Sequence, residues 1–241
     1  MMTETHPKIV VIVPARNESA NIAAVLADLR GAAKSCDILV VDDGSSDDTV
    51  LQAKADRHAN VISLPFNLGI GGAVQTGFLY ARRKGYDLAV QCDGDGQHIA
   101  GEIPKLLAPL LEDKADVVIG SRFLDPGNSY SAPLLRRCGM LVFEAVNSLL
   151  IGRRITDNTS GFRAYNRRAI QFLAEHYPDD YPEPEAVILL GRNGFRITEV
   201  PVTMRPRLEG RSSISGLRSV YYMAKVLLTV LMNGIRARIV N

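Results

Sequence analysis

Ile9-Val10-Val11-Ile12-Val13-Pro14 is the stretch from which the rest of the chain can be read. Five β-branched residues in a row, with no polar residue between them, predict a strand buried on both faces, as in a parallel sheet. Pro14 ends the run. Immediately downstream, Asn21 to Leu29 places Ile22, Val25, Leu26 and Leu29 on one helix face. Ile38-Leu39-Val40-Val41 repeats the strand pattern and runs into Asp42-Asp43-Gly44-Ser45. Ser46 or Asp47 is then placed to cap a helix through Val50 and Leu51. The alternation continues with a short strand at Val61–Leu64, a helix over Ala73–Arg83 and a strand over Asp87–Cys92. A helix over Ile103–Leu111 and a strand over Asp116–Gly120 complete it. Such a chain is α/β, Rossmann-like, with a mostly parallel central sheet and helices on both faces. Ligands of these sheets sit beyond the carboxyl ends of the strands, here just after Val13, Val41, Cys92 and Ile119.

The second half is less regular. Leu134 to Leu150 reads as a long apolar helix, and Ser160 to Tyr165 as a turn with a short strand. Ala169–His176 and Glu185–Arg192 read as helices and Arg196–Val202 as an edge strand. A basic loop and an amphipathic helix from Gly216 to about Arg236 follow. No repeat or linker interrupts the chain. The expectation is one domain over 1–213 and a C-terminal amphipathic helix within 214–241, packed on the domain or lying at a membrane surface.

Composition narrows the class. With 46% hydrophobic and 22% charged residues among 241, the composition supports a sizeable core and argues against global disorder. A net charge of +2 gives no reason to expect a nucleic-acid partner. Cys36, Cys92 and Cys138 are too few and too scattered for a disulfide framework or a zinc site, so the reading is a reducing, cytoplasmic compartment. The N-terminus lacks the apolar stretch of a signal peptide. No uninterrupted apolar run reaches the roughly 18 residues of a spanning helix.

Four of the strand ends carry polar groups. They are Pro14-Ala15-Arg16-Asn17-Glu18, Asp42-Asp43-Gly44-Ser45, Asp93-Gly94-Asp95-Gly96-Gln97-His98 and Gly120-Ser121-Arg122. Each alone reads as a turn. Four on one edge read as a site, because polar groups held in a crevice cost free energy unless they bind something. Asp93 and Asp95, with Gly94 between them to let the backbone turn, can converge on a hard divalent cation, and Gln97 can add a carbonyl oxygen. Oxygen donors favour Mg2+ or Mn2+, which would offset charge on a phosphate leaving group. His98 is either a further ligand or a structural group. Gly69-Ile70-Gly71-Gly72 follows the third strand rather than the first and lacks dinucleotide spacing, so it reads as a packing or phosphate-facing turn.

Val13-Pro14-Ala15-Arg16-Asn17-Glu18, Val41-Asp42-Asp43-Gly44-Ser45-Ser46-Asp47 and Asp93-Gly94-Asp95-Gly96-Gln97-His98 resemble the three N-terminal signatures of family 2 glycosyltransferases. Asp157-Asn158-Thr159-Ser160-Gly161-Phe162-Arg163, Gly120-Ser121-Arg122 and Glu199-Val200-Pro201-Val202 are similar to segments of its polyprenyl-phosphate branch, which includes dolichyl-phosphate mannose synthases. The resemblance implies a GT-A fold and inverting transfer of a sugar from a UDP-, GDP- or dTDP-linked donor. The implied acceptor is polyprenyl (undecaprenyl) phosphate, for cell-envelope polysaccharide or glycan assembly. It implies that Pro14, Ala15, Asn17 and Glu18 line the nucleotide pocket, that Asp42 and Asp43 address base and ribose, and that Asp93, Asp95 and Gln97 hold the metal and diphosphate. Arg122 and Arg136 would approach the acceptor phosphate, for which guanidinium forks are suited. Arg207 and Ser212 match a basic segment that closes over the diphosphate, although Ser213 stands where the family has lysine.

A phosphate acceptor, already anionic near neutral pH, needs little help from a general base; a saccharide hydroxyl needs one, and Asp157, Glu183 and Glu185 are the candidates. A catalytically idle nucleotide-sugar-binding subunit is a third reading. Relatives in this branch often carry spanning helices beyond this point, so a small membrane-protein partner would supply an anchor here. Otherwise the last helix itself would lie peripherally on the inner face of the plasma membrane. A homo-oligomer is compatible with all of these.

Overall fold

The computed structural model describes residues 6–124, 152–179 and 182–205. Its elements, in chain order, are β1 (Ile9–Ala15), α1 (Ile22–Ala32), β2 (Cys36–Asp42), α2 (Thr49–Ala55), β3 (Ala59–Ser63), α3 (Gly69–Lys84), β4 (Leu88–Gln91) and α4 (Ile103–Leu111). Then come β5 (Val117–Ser121), β6 (Arg163–Asn166), α5 (Arg167–His176), α6 (Pro182–Arg192) and β7 (Ile197–Pro201). The long helix expected at Leu134–Leu150 and the C-terminal helix expected within 214–241 lie outside the described residues.

The strands form one seven-stranded sheet in the order β3-β2-β1-β4-β6-β5-β7. The β3-β2-β1-β4 ladder is parallel throughout, and β5 and β7 are parallel to each other. The exception is β6, which enters antiparallel between β4 and β5. Its insertion makes Gln91 the register partner of Arg163, and Arg163 the partner of Ile119. The mostly parallel expectation holds, and Ile197–Pro201 is an edge strand as read.

Side chains alternate across β1, so its β-branched run feeds two cores. Val11 and Val13 join Leu26, Leu29, Val40, Leu106 and Val118 on the face covered by α1, α2 and α4. Val10 and Ile12 join Val41, Phe78, Ile119, Tyr165 and Leu190 on the face covered by α3, α5 and α6. Every residue of β1 is buried. A strand with two buried faces tolerates no slip in register, because a shift by one residue would exchange the two cores. That rigidity holds the polar loops at the carboxyl edge of the sheet. No helix among the described residues is long and apolar enough to cross a membrane.

Candidate active site

The loops after β1 and β2 are laced together by side chain to backbone bonds. Asn17, at a positive φ of 54°, donates its N–H to Ser45 Oγ at 2.9 Å and accepts from Ser46 N–H at 2.9 Å. Glu18 N–H donates to Thr49 Oγ1 at 2.8 Å, and Ser19 N–H to Asp47 at 3.1 Å. Burial pushes the Asp47 carboxyl up, but donors from Thr49 and Ser19 outweigh it and bring the group to about 2.

Asp42 accepts from Ser63 Oγ at 3.0 Å and is 1% exposed. Asp43 accepts from the main-chain N–H groups of Leu68 at 2.6 Å and Gly69 at 3.0 Å, where α3 begins. The anion at that helix start is therefore Asp43 itself, satisfying donors the first turn leaves open. Gly71 serves packing: a Cβ there would lie 2.5 Å from the Pro178 carbonyl oxygen. Both aspartates are largely engaged within the protein, and their expected approach to base and ribose would use the remaining lone pairs.

Asp93 and Asp95 follow β4 directly. Gly94 has no positive φ, and what it offers is a close approach to β1. Its added Cβ would sit 3.2 Å from the Pro14 carbonyl oxygen, and the positive φ of 77° falls at Gly96. Asp95 is 7% exposed and accepts the Gln97 N–H at 3.1 Å. The neighbouring Cys92 thiol is pushed up by burial and then by the charges of Asp93, Asp95 and Asp28, so the strand end is a place of negative potential.

His98 lies behind this loop. Its Nδ1 accepts the Asp93 N–H at 2.9 Å, its Nε2 is 3.7 Å from Asp93 Oδ2, and its ring stacks on Phe162 at 4.6 Å. Burial brings it down to about 4, with Asp95 opposing, so the ring is neutral. Met204 forms an antiparallel bridge with His98, and Arg205 N–H donates to the Gln97 carbonyl at 2.8 Å. The last described residues thus run alongside the Asp93–His98 loop.

The opposite wall comes from segments distant in sequence. A Cβ on Gly161 would fall 2.8 Å from Asp93 Oδ2, so the Ser160–Arg163 turn touches that carboxylate only because residue 161 has no side chain. Arg163, 1% exposed, donates to three main-chain carbonyls: Ser160 at 2.7 Å, Glu183 at 2.8 Å and Asn158 at 3.0 Å. It ties the turn to the first residues of α6. Burial pushes the Glu183 carboxyl up, with Arg163 pulling it down and Asp93 adding to the rise. Glu185, also in the first turn of α6, is 8% exposed.

Arg122, just beyond β5, forms a two-pronged pair with Asp157, Nε to Oδ2 at 2.7 Å and Nη2 to Oδ1 at 2.7 Å, and also reaches Thr159 Oγ1 at 3.0 Å. Asp157 is 0% exposed, and its N–H donates to Glu199 Oε1 at 2.8 Å. Glu199 also takes Thr156 N–H at 2.8 Å. Its carboxyl is pushed up by burial against these donors. The expectation of Asp157 as a general base meets a physical obstacle here, since a base needs an open lone pair facing the acceptor proton. Both oxygens of Asp157 face Arg122.

Of the expected site residues, Pro14, Ala15, Asn17, Glu18, Asp93, Asp95, Gln97, Arg122 and Asp157 lie at strand ends or in the loops beside them, and Glu185 lies in the first turn of α6. Arg136, Arg207 and Ser212 lie outside the described residues. Sequence reasoning missed the roles of Gly161, Arg163 and Glu199. The available signal was a charged residue inside each of two short strand patterns, which demands a buried partner. No group of three His, Cys, Asp or Glu donors that could hold a metal occurs among the described residues. Two carboxylates and an amide still suit Mg2+ or Mn2+, which take one or two carboxylates and complete the shell with water and substrate phosphate. The negative potential at this strand end, which the charges of Asp93 and Asp95 help to set, fits that assignment.

The family model described as glycosyl transferase family 2 matches residues 10–173. Undecaprenyl-phosphate mannosyltransferase of Micrococcus luteus is 32% identical over 242 residues, covering 96% of this chain and 99% of that protein. Polyprenol monophosphomannose synthase of Mycolicibacterium smegmatis is 33% identical over 90% of this chain and 84% of its own. Among solved structures, glucosyl-3-phosphoglycerate synthase from Mycobacterium tuberculosis, in complex with Mn2+, uridine-diphosphate and phosphoglyceric acid, has a TM-score of 0.68. It is 23% identical and covers 95% of this chain and 78% of that one. That likeness establishes the fold, which is GT-A.

Proposed function

This chain belongs to glycosyl transferase family 2, and from that premise we propose that it moves a sugar from a nucleotide diphosphate donor to a polyprenyl phosphate, with inversion at the anomeric carbon. Relatives named for undecaprenyl-phosphate and polyprenol mannosyl transfer support the acceptor class. The observation that carries the reading is the meeting of Asp93 with the Gly161 turn at the sheet edge, beside the buried Arg122–Asp157 pair.

In this reading an acceptor phosphate oxygen attacks the anomeric carbon in line while the bond to the diphosphate oxygen breaks. The acceptor is already anionic near neutral pH and requires no proton removal. Asn17 and Glu18 shape the nucleotide pocket. Asp93, Asp95 and Gln97 would hold Mg2+ or Mn2+, which when bound supplies Lewis-acid stabilisation to the diphosphate. Arg122 addresses the acceptor phosphate, and Asp157 acts by fixing the plane of its guanidinium. Arg136, Arg207 and Ser212 would complete the anion-binding set. The enzyme would meet its lipid at a membrane surface.

The test is incorporation of labelled sugar into a short polyprenyl phosphate, with MnCl2 or MgCl2 and a panel of UDP-, GDP- and dTDP-sugars. One donor should yield lipid-linked sugar, and Asp95→Asn should lower turnover by about 10³-fold, the scale of losing a preorganised charge at the reacting diphosphate, while the fold is retained. No product with any donor would overturn the lipid reading. Turnover that survives Asp95→Asn would overturn the metal assignment.

A second reading, transfer to a saccharide hydroxyl, draws support from the raised Glu183 carboxyl beside Asp93. Loss of chemistry in Glu183→Gln with donor binding intact, together with product on a sugar acceptor, would favour it.

A further inference from the structure

His98 has a ligand's chemistry and a ligand's sequence position, three residues beyond Asp95, yet its lone pair is already used. Nδ1 accepts the Asp93 N–H at 2.9 Å, and a nitrogen that accepts carries no proton, so in the neutral ring the proton sits on Nε2. That nitrogen faces Asp93 Oδ2 at 3.7 Å. Neither nitrogen can bind a cation without giving up its contact with Asp93. The ring is nearly parallel to Phe162, at 13° and 4.6 Å between centroids. Phe162 follows Gly161, the residue whose missing side chain admits Asp93.

One imidazole therefore spans the two walls of the site. By its edge it holds the backbone of Asp93, and by its face it rests on the turn that Asp93 must touch. Its own main chain is paired with Met204, and Gln97 accepts from Arg205, so it cannot drift outward with the loop.

We propose that His98 is a positioning residue that sets the Asp93 carboxylate against the Gly161 turn through its Nδ1 bond, with its ring seated on Phe162, and does not itself bind the metal. This rests on the reading of Asp93 and Asp95 as the metal carboxylates. It separates two properties of the ring, an acceptor at the Nδ1 position and an aromatic face, that substitutions can remove one at a time. Asparagine places an oxygen at the same number of bonds from Cβ as Nδ1. Glutamine places it one bond too far. Phenylalanine keeps the face and removes the acceptor, so the Asp93 N–H loses its bond to His98.

The experiment is titration of Mn2+ onto the full chain in the presence of UDP, read by the electron paramagnetic resonance of free Mn2+, with folding followed by circular dichroism. Wild type should bind. His98→Phe should bind about tenfold more weakly with the fold retained, the lower end of the 10–100-fold range for losing a group that orients a metal ligand. His98→Asn should stay within about threefold of wild type, and His98→Gln should fall with the phenylalanine variant. The idea fails if His98→Phe binds Mn2+ like wild type, or if His98→Asn is as weak as His98→Gln. Should His98→Phe not fold, the asparagine and glutamine pair still decides. Absence of Mn2+ uptake by wild type would instead remove the metal assignment on which the proposal stands.

Discussion

The two halves of the sheet edge are built differently. On the side of β1, β2 and β3, neighbouring loops are joined by hydrogen bonds from main-chain N–H groups: Asn17 to Ser45, Ser46 to Asn17, Glu18 to Thr49, and Leu68 and Gly69 to the Asp43 carboxylate. On the side of β4, β6, β5 and β7, buried charges do the holding. Arg122 grips Asp157, Glu199 holds the main chain before Asp157, and Arg163 collects three carbonyls. The Asn17–Ser45, Asn17–Ser46 and Glu18–Thr49 bonds are neutral and exposed or half-exposed, and each can open and close at small cost, about 1 kcal/mol. A buried ion pair cannot, because breaking it strands a charge. Under the proposed function the first side, assigned to the nucleotide, is the adjustable one, and the second, assigned to the acceptor, is preset. Fixed charges suit a phosphate that must arrive in line.

That contrast can be broken by mutation. Asp157→Ala leaves Arg122, whose side chain is only 11% exposed, without the fully buried carboxylate it grips, and should destabilise the chain by about 3–5 kcal/mol in urea unfolding, the usual cost of removing one partner of a buried pair. If the loss is under about 1 kcal/mol, the pair is solvated and the acceptor side is not preset. On the same scale Asn17→Gly, which removes the exposed bonds from Ser46 and leaves the positive φ unstrained, should cost about 1 kcal/mol or less.

Gly161→Ala sharpens the contrast at the seam between the halves. The added methyl meets Asp93 at 2.8 Å and must displace it. Mn2+ uptake by isothermal titration with UDP present should weaken by about tenfold, with little change in unfolding midpoint, as expected when a ligand is tilted rather than removed. Unchanged uptake would mean that Asp93 adapts freely.

The smallest effect concerns pH. Asp47 has its carboxyl lowered to about 2 from an ordinary 3.8, so its contribution is present above pH 4 and is lost as pH falls from about 4 towards 2. Glu199 has its carboxyl raised by burial, so its charged form opposes folding at neutral pH and that penalty is relieved on acidification. Hydrogen exchange should show protection at Ser19 and Thr49 falling on acidification below pH 4 before that at Asp157. Asp47→Asn should flatten the acid dependence at Ser19 and Thr49 alone. Equal loss at both places would erase the distinction between the halves.

The strands and helices up to Gly120 were legible because each parallel unit buries its own apolar pattern and each polar loop follows its own strand. Helix Ile103–Leu111 matches residue for residue, and β1 and β2 differ from their expected bounds only by a few end residues. The carboxylates Asp93 and Asp95, flanking one glycine at a strand end, could be picked out for the same reason.

What chain order alone did not reveal was the entry of β6 antiparallel between β4 and β5, the engagement of Asp157 with Arg122, and the use of Arg163 to join the Ser160 turn to α6. Sequence determines which segments prefer strand or helix and which residues bear chemistry, because those preferences are local. Tertiary structure alone decided which charges meet. A buried arginine selects its partners by distance and geometry across 20 or 35 residues of intervening chain, and no local pattern records that choice.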